Sequence, residues 1–243
     1  MNLPILLTSA VHVSADQTAL TAPDARATAV LESIKVWAEL IRVGQIVICD
    51  GSGYDFTQLI ENISVEYPSV KFECLAFQND GEKVRRQGKG FGEGQIINHA
   101  LHHSKLLRKA ESFAKCTGKL WVQNFIRCRA GFNGVAGFQM SGKLRVHYVD
   151  TRFYIVSRGF YDDVLSDAYM TVDDANGYYL EHAFAEKMSH LRSNQISICP
   201  APAIRGLSGS SGQVYNSSLW QNLKGNVKAL SYRLVPRVLG TGE

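Results

Sequence analysis

Long apolar runs are missing from this chain of 243 residues. No stretch of about 20 uninterrupted apolar residues occurs, so no membrane-spanning helix is expected and any membrane contact is peripheral. The start, Met1-Asn2-Leu3-Pro4-Ile5-Leu6-Leu7, lacks the basic region and long apolar core of a secretory signal and reads as a first strand. Cysteine is sparse: Cys49, Cys74, Cys116, Cys128 and Cys199 are odd in number and far apart. No CxxC or Cys/His spacing points to zinc, and reduced thiols in a cytoplasmic protein are expected. Nucleic-acid recognition motifs are lacking, so no nucleic-acid partner is expected. Charge is nearly balanced, with 26 Lys and Arg against 22 Asp and Glu; the +4 excess suits anionic ligands or an anionic membrane surface. With 45% hydrophobic residues the chain can bury one sizeable core.

The first third alternates strand and helix signals. Leu3 to Ser14 reads as a strand, and Ala27, Val30, Ile34, Trp37 and Ile41 then repeat at helical spacing up to Gly44. Gln45 to Cys49 is a short buried strand closed by Asp50-Gly51-Ser52-Gly53. Asp55 is an N-cap for a helix carrying Phe56, Leu59, Ile60 and Ile63, and Val70 to Phe77 is a third strand. This order predicts right-handed crossovers and a parallel sheet covered by helices, with ligands outside the carboxyl ends of the strands. Four glycines in seven residues, Gly88 to Gly94, read as a loop on that rim, with Lys89 adding a cation. Gln95 to Ala114 then reads as one helix, with a break near His102-His103-Ser104 as the alternative, Lys119 to Phe125 as a fourth strand, and Leu144 to Val156 as half of a hairpin turning at Ser141-Gly142-Lys143. Arg158 to Leu165 and Gly177 to Leu191 read as helices.

Four segments taken together carry a family resemblance: Gly88-Lys89-Gly90-Phe91-Gly92-Glu93, Lys115 to Asn124, Val149-Asp150-Thr151-Arg152, and Tyr178-Tyr179-Leu180-Glu181-His182. Their order resembles a bacterial GT-A type glycosyltransferase of the surface-polysaccharide and lipopolysaccharide assembly kind, over most of residues 3 to 215. The resemblance implies a Rossmann-like α/β fold with a mixed, mostly parallel sheet flanked by helices, residues 1–215 forming the catalytic domain and 216–243 a C-terminal amphipathic extension. It implies a nucleotide-sugar donor, a glycan or lipid-linked glycan acceptor, and a cytoplasmic location with peripheral contact to the inner membrane.

In such enzymes a carboxylate after the second strand contacts the nucleoside. Asp50 stands there, beside Gly51 and with Ser9 as neighbour, although an Asp before Gly-Ser-Gly is also an ordinary turn former. Glu181 matches the place of a general base for the acceptor hydroxyl, with His182 as neighbour or phosphate contact; the alternative is a plain amphipathic helix. The family's DxD pair after the fourth strand is missing, because Lys119 to Phe125 runs into Gln123-Asn124. Asp150 is then the nearest carboxylate for a divalent metal (Mn or Mg) or the donor sugar, and an internal pair with Arg152 is the competing reading. Without metal, Lys89, Lys115, Arg152 and Arg205 would neutralise the diphosphate. Gly90 belongs to the same phosphate reading, as do Ser208 and Ser211 in the second glycine-rich segment, Arg205 to Gly212, which as a linker would equally be flexible coil.

From Ser218 to Val235, Leu219, Leu223, Val227, Leu230 and Leu234 share one helical face, which either packs on the domain or lies on a membrane; packing is the expectation. Two other functions stay open. Ile46 to Gly53 suggests an S-adenosylmethionine-dependent methyltransferase, although its glycine turn follows the second strand, and a non-catalytic nucleotide- or glycan-binding module fits the missing DxD.

Overall fold

The computed structural model describes residues 3–13, 19–143, 145–209, 212–216 and 219–240. In chain order the main elements are β1 (Ile5–Ser9), α1 (Pro23–Ile41), β2 (Gly44–Asp50), α2 (Thr57–Glu66), β3 (Val70–Ala76), α3 (Gly81–Gln87), α4 (Lys89–His103), β4 (Ser112–Thr117), β5 (Leu120–Val122) and α5 (Phe125–Ala130). These are followed by β6 (Ala136–Ser141), β7 (Arg145–Val146), β8 (Tyr148–Ser157), α6 (Arg158–Phe160), α7 (Leu180–Lys187), α8 (Ser193–Ile196), β9 (Ile204–Leu207), β10 (Val214–Asn216), α9 (Leu219–Leu234) and β11 (Val238–Leu239).

The central sheet has the order β3-β2-β1-β4-β8-β6, parallel throughout from β3 to β4, with β8 antiparallel to both of its neighbours. The α/β class is the one expected. Alternation within the strands divides the core: Leu6, Val47 and Cys49 face α4 and α7, while Ile5, Leu7, Ile46 and Ile48 face α1 and α2. Parallel strands covered on both faces have this near-continuous apolar character. Trp37 of α1 is fully buried and donates from Nε1 to the Leu120 carbonyl at 2.9 Å, tying that helix to the small sheet β5-β9-β10.

Several boundaries differ from expectation. The first strand ends at Ser9, and Ser14 lies outside the described residues. The segment Gly88 to Gly94 is no loop: Gly88 is the N-cap of α4 and the rest forms its first turns. The helix expected over Gln95 to Ala114 ends at His103, at the break offered as the alternative, and does not resume. There the Glu73 carboxylate accepts from Ser104 Oγ at 2.6 Å and from the Lys105 and Leu106 amides at 2.7 and 3.0 Å, turning the chain away. Ser112 to Thr117 becomes β4, between β1 and β8, because ladder bonds on both edges outweigh the weak helical preference of a short segment. Leu120 to Val122, expected within the fourth strand of the main sheet, belongs instead to the three-stranded sheet. Arg205-Gly206-Leu207 is β9 rather than coil, and the helix expected over Gly177 to Leu191 is limited to α7.

Helix α9 packs on the domain through a face other than the apolar stripe. It docks through Ala229 and Tyr232, with the Ala229 and Tyr232 carbonyls accepting from Ser197 Oγ at 3.2 Å and Ser193 Oγ at 2.9 Å. Trp220, Leu223, Val227, Leu230 and Leu234 are exposed, Trp220 and Leu234 by 72% and 71%. The apolar stripe therefore points away from the domain.

Candidate active site

One open cavity of about 280 Å³ lies over the carboxyl ends of β1, β2 and β4 and the first half of β8. Strand polarity explains the placement: β8 runs antiparallel, so its Thr151 and Arg152 emerge beside Thr117 at the end of β4. Two of the four buried side-chain atoms without a partner among the described residues belong to residues that line it, the others being Gln45 Oε1 and Tyr154 Oη. The Oγ of Ser9, 3% exposed, and the Oδ1 of Asn79 are buried and lack a hydrogen-bond partner, and both residues line the cavity. Buried polar atoms without partners are rare in folded proteins and are expected where a ligand completes them.

The positions singled out in the sequence separate into those at the cavity and those holding it in shape. Ser9, Gly51, Lys89, Gly90, Arg152, Glu181 and Ser208 line it. Asp50 is fully buried and its carboxylate is consumed by the two loops above it: Oδ2 accepts from the Val11 amide at 3.0 Å, and Oδ1 from Ser52 N at 2.7 Å, Ser52 Oγ at 2.5 Å and Tyr54 N at 3.2 Å. Asp50 thus shapes the rim without offering a free oxygen. Asp150 is gripped by Arg152, whose Nε and Nη2 donate to its two oxygens at 2.9 and 2.5 Å, while the Arg152 guanidinium stacks 4.9 Å from the Tyr215 ring. This is the internal pair raised as the competing reading. Arg205 sits on β9 between Gln123 and Asn216, away from the lining residues. His182 accepts at Nδ1 from the Tyr179 amide at 3.1 Å and stacks on Tyr178 and Tyr179, so it caps α7. Ser211 lies outside the described residues.

The glycine-rich turn of α4 is already occupied at its amides. The Asp174 carboxylate accepts from the Lys89 amide at 2.9 Å, taking the place that an anion would take at a free helix N-terminus. The glycines serve close packing instead. A Cβ on Gly94 would lie 2.1 Å from Tyr169 Cβ, and one on Gly90 3.2 Å from Leu180 and Val172 side chains. Lys115, expected at the diphosphate, is fully buried in β4, where its ammonium pairs with Glu93 and donates to the Thr151 carbonyl at 2.7 Å.

Among the described carboxylates that line the cavity, Glu93 pairs with Lys115 and Asp174 accepts from the Lys89 amide, whereas Glu181 is in no ion pair. Its Oε1 accepts from Thr151 Oγ1 at 2.8 Å, and burial, reinforced by the negative charges of Glu93 and Asp150, raises its pKa above the ordinary carboxylate value. Two cations escaped notice in the sequence. Arg26 of α1 and Lys119, just after β4, are each 5% exposed and line the cavity. Nothing in the sequence flagged Arg26, which lies inside an ordinary helical pattern; Lys119 was assigned to a strand it does not join.

The donor set does not fit a bound divalent metal. Thr117-Gly118-Lys119 follows β4 with no carboxylate, Asp150 is committed to Arg152, and no group of three or more His, Cys, Asp or Glu residues arranged to hold an ion occurs among the described residues.

No family model matches the chain, and no curated protein matches it. Among solved structures, it is similar to the apo form of the bifunctional glycosyltransferase WbbM, with 10% identity and a TM-score of 0.45 over 100% of this chain. The chain spans 46% of that protein's length. It is also similar to 4-diphosphocytidyl-2C-methyl-D-erythritol synthase, with 13% identity, a TM-score of 0.37, and coverage of 95% of this chain and 98% of the other.

Proposed function

We propose that the protein is a glycosyltransferase that moves a sugar from a nucleotide-sugar donor to a surface-polysaccharide or lipid-linked glycan acceptor. One observation carries the reading: a single cavity joins an unpartnered polar rim, Ser9 and Asn79, to a half-buried carboxylate, Glu181, of raised basicity. The rim with Gly51 and Ser52 receives the nucleoside, and the Thr151, Arg152 and Glu181 side receives the sugar. Glu181 takes the proton of the acceptor hydroxyl as that oxygen bonds to the anomeric carbon. The bond from the anomeric carbon to the distal phosphate oxygen breaks, and its electron pair leaves with the nucleoside diphosphate. Asp150 acts behind Arg152 by fixing the guanidinium.

The exposed stripe of α9 supports an anionic lipid surface as the place where the acceptor is met. Between Glu186 and Glu243 the sequence has no Asp or Glu, while Lys187, Arg192, Arg205, Lys224, Lys228, Arg233 and Arg237 fall there. Lys187 pairs with Asp167, and Lys228, Arg233 and Arg237 donate to oxygens of the domain, so the exposed apolar stripe, with Lys224 on the same helix, is what suits insertion at an anionic headgroup layer.

Calorimetric titration with UDP-, GDP-, CMP- and dTDP-sugars, followed by a transfer assay on lipid-linked acceptors, tests the proposal. Binding of one donor and release of its nucleoside diphosphate with the sugar on the acceptor is the expected result. Failure of every donor to bind refutes it, and transfer of the nucleotidyl group instead of the sugar replaces it with a nucleotidyltransferase.

A further inference from the structure

Arg26 and Lys119 both line the cavity, and both come close to Gly209. The point where a Cβ on Gly209 would stand is 3.2 Å from Lys119 Nζ and 3.5 Å from Arg26 Nη1. Arg26 is held there by donating from Nε to the Ala10 carbonyl at 2.8 Å and from Nη1 to the Leu20 carbonyl at 2.7 Å. The Lys119 ammonium has no hydrogen-bond partner among the described residues, and a nearly buried ammonium without one is costly unless an anion completes it. Ser9, with its own unpartnered hydroxyl, lines the same cavity.

We propose that Lys119 and Arg26 form a diphosphate-binding site that neutralises the leaving nucleoside diphosphate without a divalent cation. The proposal rests on the nucleotide-sugar reading for the identity of the ligand, while the anion site itself stands on the geometry. Two cations that line one cavity and lie close to the same residue, with Arg26 fixed by its two carbonyls and the Lys119 ammonium left to reach a ligand, provide charge-assisted hydrogen bonds to phosphate oxygens and stabilise the negative charge that grows as the glycosidic bond breaks. Burial, together with the nearby Arg26 charge, pushes the Lys119 pKa down to about 8, opposed by Glu93 of α4 and Asp50 of β2. An arriving phosphate favours the ammonium, so affinity declines as pH rises through that value.

The test is calorimetry in EDTA with nucleoside diphosphates, the matching monophosphates and inorganic pyrophosphate, on the unmutated protein, Lys119→Met and Gly209→Ala. Expected results are diphosphate binding in EDTA and a loss of roughly 10- to 100-fold in Lys119→Met. Affinity for the nucleoside should be unchanged, and the decline with pH should vanish in that variant. Gly209→Ala, which crowds the ammonium without removing it, should fall between the two. Thermal melting should show Lys119→Met at least as stable as the unmutated protein, since an unpaired buried charge is removed. Diphosphate binding that requires manganese, or that is undiminished in Lys119→Met, overturns the proposal and leaves the glycosyltransferase reading standing. Pyrophosphate binding that depends on Lys119, with no nucleotide bound, sustains the anion site and refutes the nucleotide-sugar reading.

Discussion

An ammonium group in the middle of a β-sheet has to be neutralised where it stands, and Lys115 is met there by Glu93. Glu93 also accepts from Thr8 Oγ1 at 3.1 Å, so this pair links α4 to β1 and β4 beside the cavity that Thr8 and Glu93 line. Lys115→Met, which leaves Glu93 without its cation, is expected to cost about 3–5 kcal/mol in denaturant unfolding, and adding Glu93→Gln should recover much of it. If the double variant is no more stable than the single one, the pair is not coupled. Glu181 predicts a different signature. Glu181→Gln should lower kcat about 10²- to 10⁴-fold with donor affinity retained, since only the proton acceptor is lost. Because burial raises its pKa, the acid limb of the kcat/KM profile should sit above the ordinary carboxylate range. The stability linkage has the matching sign: the folded chain holds that proton more tightly than the unfolded one. Its contribution is therefore full below the unfolded pKa and lost as pH rises through the folded value. The chemical type of these side chains was legible in the sequence, and Glu181, which lines the cavity, was singled out there. Which carboxylate is free was not, because Asp50 is disarmed by amides from two separate loops and Asp150 by a guanidinium that reaches back along its own strand.

Among the elements, α4 and α9 are where local pattern and context part most. The glycines that open α4 read as a flexible phosphate loop, yet three-dimensional neighbours require them small. Gly94→Ala places a methyl against Tyr169 and should destabilise by about 1–3 kcal/mol, measured as a lowered denaturation midpoint with unchanged slope. An unchanged midpoint would show that the Tyr169 turn yields freely. In α9 the helical period was legible, but the face that meets the protein was not. Small and polar residues do the docking: Gly225 approaches Ala201, and Asn226 Oδ1 accepts from the Ala201 amide at 2.9 Å. Leu223 and Val227, 52% and 62% exposed, are left outside. Leu223→Glu combined with Val227→Glu should abolish co-sedimentation with phosphatidylglycerol vesicles while leaving the melting temperature unchanged. Binding that survives the double change would locate membrane contact elsewhere.

At the scale of the whole molecule, the long acid-free stretch near the C-terminus makes the charge lopsided, so vesicle binding should weaken as salt rises, which sedimentation across an ionic-strength series would show. Alternating strand and helix signals in the first third sufficed for the parallel sheet, since apolar periodicity of two and of 3.6 is a local property of the chain. The rim over which the cavity opens followed from that order alone. Past His103 local pattern loses authority, because β4, β8 and β6 exist through pairing between residues distant in sequence, and their ladder bonds carry more free energy than the propensities of short segments. The sequence by itself determined the α/β class, the rim and the acidic character of Glu181. Only the tertiary structure decided that Lys115 is sealed in the sheet while Arg26 and Lys119, 93 residues apart, converge on one point. Solvent exclusion and electrostatic pairing depend on distance in space, and residue type and spacing along the chain do not encode that distance.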